Sequence, residues 1–116
     1  GPAVTISDFG NNNGLLIGPA IPDWRSGAYA DQRVTTRIDG VDVGSGTAAA
    51  FNRGAIGSVS FLLENLIARG IAIQPGWWIS TGAVTGVHPV RAGQGVETDF
   101  GPLGTLHCTI AAQPPR

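Results

Sequence analysis

RVTTRIDGVDVGSG, residues 33–46, is the stretch that predicts the fold most directly. Asp39-Gly40 lies between two alternating arms and supplies the positive-φ pair that a two-residue hairpin turn requires. The register predicts three facing pairs, namely Ile38 with Val41, Thr36 with Val43, and Arg37 with Asp42. One face then carries Val34, Thr36, Ile38, Val41 and Val43. The ion pair lies on the other face and contributes about 0.2–1 kcal/mol.

Residues 55–69 follow a helical pattern of apolar positions. The spacing i, i+3, i+4, i+7 is occupied by Ile56, Val59, Leu62, Leu63, Leu66 and Ile67. Gly70 is placed as a C-terminal stop, and the opposite side carries polar residues. We therefore predict one amphipathic helix that packs its Val59, Leu62, Leu63 and Leu66 face against a sheet.

The remaining periodic segments read as strands. One is predicted after Ala3 and another at Leu15–Ile17, with a Gly-Asn turn at residues 10–14 between them. Three more are predicted near Trp77–Thr81, Gly95–Phe100 and Thr105–Ile110. Because strands and helices do not alternate, the pattern disfavours a doubly wound parallel sheet. It predicts a mainly β (α+β) fold, a mixed or antiparallel sheet roll with one covering helix.

Composition limits the classes of function. The chain has 116 residues, of which 42% are hydrophobic and only 13% charged, so we expect a partner segment or subunit to cover apolar surface. A net charge of −1 provides no basic field for nucleic acid or anionic lipid. No apolar run approaches the roughly 20 residues that span a bilayer. The single cysteine, Cys108, suits a reducing cytoplasm.

Two motifs, one rich in glycine and one acidic, carry weak signals. Gly44-x-Gly46-x-x-Ala49 imitates a dinucleotide-binding fingerprint, with Glu64 twenty residues after the first glycine. The predicted context is wrong for it, because the glycines leave an antiparallel hairpin and Glu64 lies on a helix. Glu97 and Asp99 share one face of a strand, but no third ligand is positioned beside them, so a solvated face is the favoured interpretation.

The sequence spacing also gives no support for a catalytic nucleophile or a catalytic histidine. His88 precedes a proline and is held extended, while His107 and Cys108 are strand neighbours that point to opposite faces. Neither Ser60 nor Ser80 lies in a nucleophile elbow. We therefore expect these residues to be structural or exposed.

Several segments, in order, resemble one enzyme family. They are Asn11–Gly18, Ile38–Gly46, the helix, Gln74–Gly76, Ser80–Val90, Val90–Phe100 and Gly101–Gly104. This arrangement resembles the C-terminal half of a 2-keto-4-pentenoate (2-hydroxypenta-2,4-dienoate) hydratase of the fumarylacetoacetate hydrolase superfamily. The chain departs from the family pattern with Asn for frequent Ser at 11–13 and with Trp77 for a usual acidic residue.

The resemblance implies a divalent-metal-dependent lyase that adds water to a 2-hydroxy-dienoate or 2-keto acid in aromatic-compound catabolism. It implies Mg²⁺ or Mn²⁺ held by carboxylates upstream of the matched segment. Residues 1–116 would then be a single C-terminal part of the catalytic domain, working with its N-terminal half or a companion chain. A cytoplasmic homo-oligomer that binds neither nucleic acid nor membrane is expected.

The resemblance also implies substrate contacts, although it identifies no catalytic residue. The backbone of Thr81, Gly82 and Ala83 would line the pocket, and Asn12 and Asn13 would supply amide contacts. Two alternatives stay open: the related 2-keto acid decarboxylase or hydrolase branch, and a noncatalytic β domain that serves as a binding or assembly module.

Overall fold

The computed structural model describes residues 14–51 and 54–112. In this part the chain forms a four-stranded antiparallel sheet and one α-helix. The elements are β1 (Val34–Ile38), β2 (Val41–Gly46), α1 (Gly54–Ala68), β3 (Gly95–Asp99) and β4 (Thr105–Thr109). The strand order is β2-β1-β3-β4. A small α+β arrangement is therefore confirmed for the described residues.

The β1–β2 hairpin has the predicted turn but not the whole predicted register. Asp39 and Gly40 adopt φ of 49° and 80°, as the turn requires. Ile38 faces Val41 and Arg37 faces Asp42, which confirms two of the predicted pairs. A bulge then makes Val43 an extra residue, so Thr36 faces Gly44 and the predicted Thr36–Val43 pair is wrong.

The predicted strands at 95–100 and 105–110 are confirmed as β3 and β4, which pair with each other. β3 also pairs with β1 across a long sequence separation, with Thr36 opposite Thr98 and Ile38 opposite Val96. The buried side chains of the sheet are Val34, Thr36 and Ile38. All three alternate along β1, so this inner strand supplies the small core on one face of the sheet.

Helix α1 ends as the sequence predicts. Gly70 has φ of 70°. Its N–H donates to the carbonyl of Ile67 at 3.0 Å, and the N–H of Ile71 donates to Leu66 at 2.9 Å. This is the glycine-terminated pattern in which the last carbonyls of a helix are satisfied.

The predicted packing of α1 on the sheet is not confirmed. The Val59, Leu62, Leu63 and Leu66 face is only half-buried, and the one buried residue of the helix is Gly57. Among the helices and strands, α1 mainly contacts the 3-10 helix Ala48–Ala50. Much of the apolar stripe is therefore left uncovered within the described chain. No helix in this part of the chain is long and apolar enough to cross a membrane.

Two predicted strands have irregular backbone instead. Leu15–Ile17 and Trp77–Thr81 belong to no strand, and Leu15 and Trp78 are 63% and 70% exposed. An apolar run becomes a strand only where it forms ladder hydrogen bonds with a neighbour, and neither segment is bonded into the described sheet. The strand predicted after Ala3 lies outside the described residues.

Candidate functional site

A pocket of about 390 Å³ opens between the start of α1 and residues 81–83. It is lined by Phe51, Gly57, Ser58, Phe61, Thr81, Gly82 and Ala83. The three substrate-contact residues expected in the second half of the chain thus line one pocket, opposite the start of α1. Asn12 and Asn13, the other two, lie outside the described residues.

Gly82 is at the wall of this pocket and has a backbone that favours glycine. Its φ is 129°, and a Cβ built there would stand 3.2 Å from two ring atoms of Phe51. A larger side chain would therefore displace the Phe51 ring or fill the pocket. In the structure, the nearest neighbour of Gly82 is this aromatic ring of the chain itself.

The polar groups of the pocket come from two elements. Thr81, half-buried, faces the first turns of α1, where Ser58 lies. The Ser58 hydroxyl donates to the Gly54 carbonyl at 3.5 Å, a distance so long that the hydroxyl stays available to a ligand. Phe51 and Phe61 supply apolar walls, so the pocket suits a small ligand with one polar and one apolar end.

The segment that follows the pocket is fixed to the sheet by a short chain of hydrogen bonds. The hydroxyl of buried Thr36 on β1 lies 2.8 Å from the hydroxyl of Thr85. Thr85 also lies 3.2 Å from Nε2 of His88. His88 is half-buried, and this hydrogen bond gives it a structural role in line with the expectation from sequence.

Two glycines of β2 make room for the same segment. A Cβ on Gly44 would overlap the carbonyl oxygen of Thr85, and one on Gly46 would stand 2.5 Å from the carbonyl oxygen of Val84. Sequence reasoning missed this role. The signal was available, because glycines inside a strand often mark a place where another backbone approaches closely.

The opposite face of the sheet carries an ionic cluster centred on Arg37. Its guanidinium donates to Asp42 at 2.8 Å, Glu97 at 3.2 Å and Asp99 at 3.4 Å. Hydrogen bonds to Glu97, Asp42 and Asp99 raise the pKa of Arg37 above its ordinary value. The pKa of Asp99 is lowered, first by the Gly101 backbone N–H at 2.7 Å and then by Arg37.

The Arg37 cluster does not fit a resident divalent cation. Glu97 and Asp99 do share a face, as predicted, but the guanidinium occupies their oxygens where a cation would have to bind. Across residues 14–51 and 54–112, no three side chains of His, Cys, Asp or Glu come together as a metal-binding group. The face is an ion-pair network rather than the freely solvated surface that the sequence favoured.

The other motifs noted in the sequence form no functional site in the described residues. Gly44 and Gly46 belong to an antiparallel strand and Glu64 to α1, which is the wrong context for a dinucleotide fingerprint. His107 lies 3.7 Å from Glu97, and Cys108 is exposed on β4. Neither takes part in the pocket beside Gly82.

No protein-family model matches this chain, and no curated protein matches it. The likeness to the hydratase family therefore stays a prediction that rests on the residues quoted above.

Proposed function

We propose that this chain supplies the substrate-binding turn of a divalent-metal-dependent 2-keto acid hydratase. The observation that carries the proposal is the pocket in which Thr81, Gly82 and Ala83 face the start of α1. These are the residues that the resemblance assigns to substrate contact. The ligand would be a 2-hydroxy-dienoate or 2-keto acid, and the reaction would belong to the breakdown of aromatic compounds.

In this proposal the residues of the chain bind and orient the substrate. The hydroxyl groups of Thr81 and Ser58 donate to the carboxylate or keto oxygen. The rings of Phe51 and Phe61 contact the hydrocarbon end and reduce access of water to it. Gly82 keeps the wall open, because no side chain projects into the space.

Mg²⁺ or Mn²⁺ would be held by residues other than those described. Such an ion polarises carboxylate and keto oxygens and stabilises an enolate. The N-terminal half of the enzyme, or a companion chain, would supply it. A cytoplasmic homo-oligomer without nucleic-acid or membrane contacts is part of the same proposal, and the decarboxylase and hydrolase branches would use the same pocket.

One observation favours a second candidate, a noncatalytic binding or assembly module. Only Val34 and Ile38 are buried apolar side chains among the described residues, while Phe61, Ile67 and Val87 are at least 65% exposed. Apolar surface of this kind marks contact with another segment or subunit. An enzyme part needs such contact as well, so the pocket decides between the two candidates.

The test is a titration of the ¹⁵N-labelled chain with 2-oxopentanoate, followed by amide NMR. We expect saturable shifts at residues 57–58 and 81–83. Pentanoate, which lacks the keto group, should bind more weakly. Gly82→Val should weaken 2-oxopentanoate binding by about ten-fold or more because the new side chain meets Phe51 at the pocket wall.

Gly93→Val is the matched control. Gly93 also has a positive φ, 92°, but a Cβ there would meet nothing within 4 Å. Both variants therefore carry backbone strain, and only one changes the pocket. Equal loss of affinity in the two variants, or equal binding of both ligands, would refute the pocket assignment and favour the module. In the complete enzyme, Gly82→Val should depress dienoate hydration far more than Gly93→Val.

A further inference from the structure

Strand β4 presents an open edge to its surroundings. It is the last strand of the sheet, and within the described residues no strand pairs with its outer side. The N–H of Phe100 bonds to the carbonyl of Gly104 and that of Ile110 to Gln94, so the even-numbered residues of β4 bond to β3. Because bonding alternates along an antiparallel strand, the backbone groups of Thr105, His107 and Thr109 point outward.

This edge lacks the usual protection against pairing. Natural edge strands are blunted by proline, by charged side chains such as lysine, or by bulges. β4 reads Thr-Leu-His-Cys-Thr, with no proline and no lysine or acid, and its register with β3 has no irregularity. The opposite edge, β2, contains both a bulge and glycines. The two edges therefore differ, and only β4 is ready to accept a strand.

The sequence of β4 is symmetric about His107. Thr105 and Thr109 are identical, and Leu106 and Cys108 are both apolar. A two-fold interface requires a surface that is complementary to itself, with each residue on one side of the axis matched on the other. A strand pairing with its own copy meets this requirement when the central residue directs its backbone groups outward, as His107 does.

We propose that two copies of this chain associate through antiparallel pairing of β4 around a two-fold axis at His107. The pairing would form about six backbone hydrogen bonds and join the two sheets into one eight-stranded sheet. Thr105 would face Thr109 of the partner subunit, and Leu106 would face Cys108 of the partner subunit. Threonine pairs and apolar pairs are both favourable across antiparallel strands. The proposal does not depend on the proposed enzymatic function.

Apolar surface beside the edge adds to the contact. Leu106 lines a pocket of about 490 Å³ whose walls include exposed residues Leu15, Leu16, Ile17 and Trp78. A five-residue ladder alone falls short of the roughly 1,000 Å² that a specific interface buries. The neighbouring apolar side chains supply surface of the type that such an interface needs, and the low charge of the chain does not oppose self-association.

The first experiment measures the mass of the 116-residue chain by analytical ultracentrifugation across a concentration series. We expect a monomer–dimer equilibrium. His107→Pro removes the central outward N–H but no bond to β3, so it should raise the dimer dissociation constant by about ten-fold or more. His107→Gln keeps the backbone donor and should retain the dimer.

The second experiment tests the register. In an antiparallel pair centred on His107, positions 106 and 108 of the two copies face each other as a closely spaced pair without hydrogen bonds. Leu106→Cys should therefore form a covalent dimer through Cys108 of the partner subunit on mild oxidation. Thr105→Cys is the control, because position 105 faces position 109 and should crosslink poorly.

Three outcomes would overturn the proposal. A dimer that persists in His107→Pro, or that crosslinks equally from positions 105 and 106, would place the interface elsewhere. A monomer at all concentrations would exclude pairing of copies. Slow amide exchange at Thr105, His107 and Thr109 in such a monomer would identify another segment of the same chain, such as residues 1–13, as the occupant of the edge.

Discussion

Gly44→Ala should destabilise the chain through one added methyl group. The new Cβ would overlap the carbonyl oxygen of Thr85 and stand 2.7 Å from Cε1 of His88. The carbonyl belongs to the backbone, so a rotamer change cannot relieve the overlap. Overpacking of this kind typically costs about 1–3 kcal/mol. The smaller unfolded-state gain from replacing glycine, about 0.4–1 kcal/mol, offsets only part of it. We therefore expect a net loss of about 1–2 kcal/mol.

Gly95→Ala is the matched control for this prediction. Gly95 is also a strand glycine, but a Cβ there would stand 3.8 Å from Oδ1 of Asp39, an ordinary contact distance. This variant should be neutral or slightly stabilising. Urea denaturation of both variants measures the difference, and amide shifts at Thr85 and His88 locate the damage. Equal stability of the two variants would show that β2 and the Val84–Thr85 backbone are not in close contact, and that β2 does not support the pocket.

Three further predictions follow from packing and charge. Leu62→Ala should cost only about 1–2 kcal/mol in the isolated chain, since Leu62 is half-buried, and a cost near 4 kcal/mol would mean that another surface covers it. The lowered pKa of Asp99 contributes stability that is fully present above its ordinary pKa of 3.8 and is lost as pH falls through the folded value. Asp99→Asn should flatten the acid limb of the stability–pH curve. Calorimetry should find no tight one-to-one Mg²⁺ binding to the chain. Tight binding that disappears in Glu97→Gln would show that Arg37 does not occupy this face.

The elements with strong local signals could be predicted from the sequence. The Asp39-Gly40 turn, the helix with its Gly70 terminus, and the β3 and β4 strands all depend on residues close together in the chain. The pairing of β1 with β3 could not be predicted in this way, because it joins residues about sixty positions apart. The strands predicted at Leu15–Ile17 and Trp77–Thr81 are absent for a related reason: apolar composition alone does not show whether a segment pairs with a distant strand.

The candidate site was predictable only in part. Thr81, Gly82 and Ala83 were expected to line a pocket because of the family resemblance, and they line one in the structure. Nothing in the sequence indicated that Phe51, Ser58 and Phe61 would line the same pocket, because only the fold brings them beside residues 81–83. The Thr36–Thr85 hydrogen bond spans 49 positions and is invisible to local patterns.

The β-bulge that the sequence did not predict accounts for how the hairpin supports the pocket. Without it, Thr36 would face Val43 and Val34 would face Ser45. The side chains of Val43 and Ser45 would then lie on the face of β2 that approaches residues 84–85. The extra residue shifts the register, so that Gly44 faces Thr36 and Gly46 faces Val34. The two glycines then lie where the backbone of Val84 and Thr85 approaches the sheet. Thr36 can reach Thr85 at 2.8 Å only because this space is free of side chains. One inserted residue in β2 therefore positions the segment that directly follows the Thr81–Ala83 wall of the pocket.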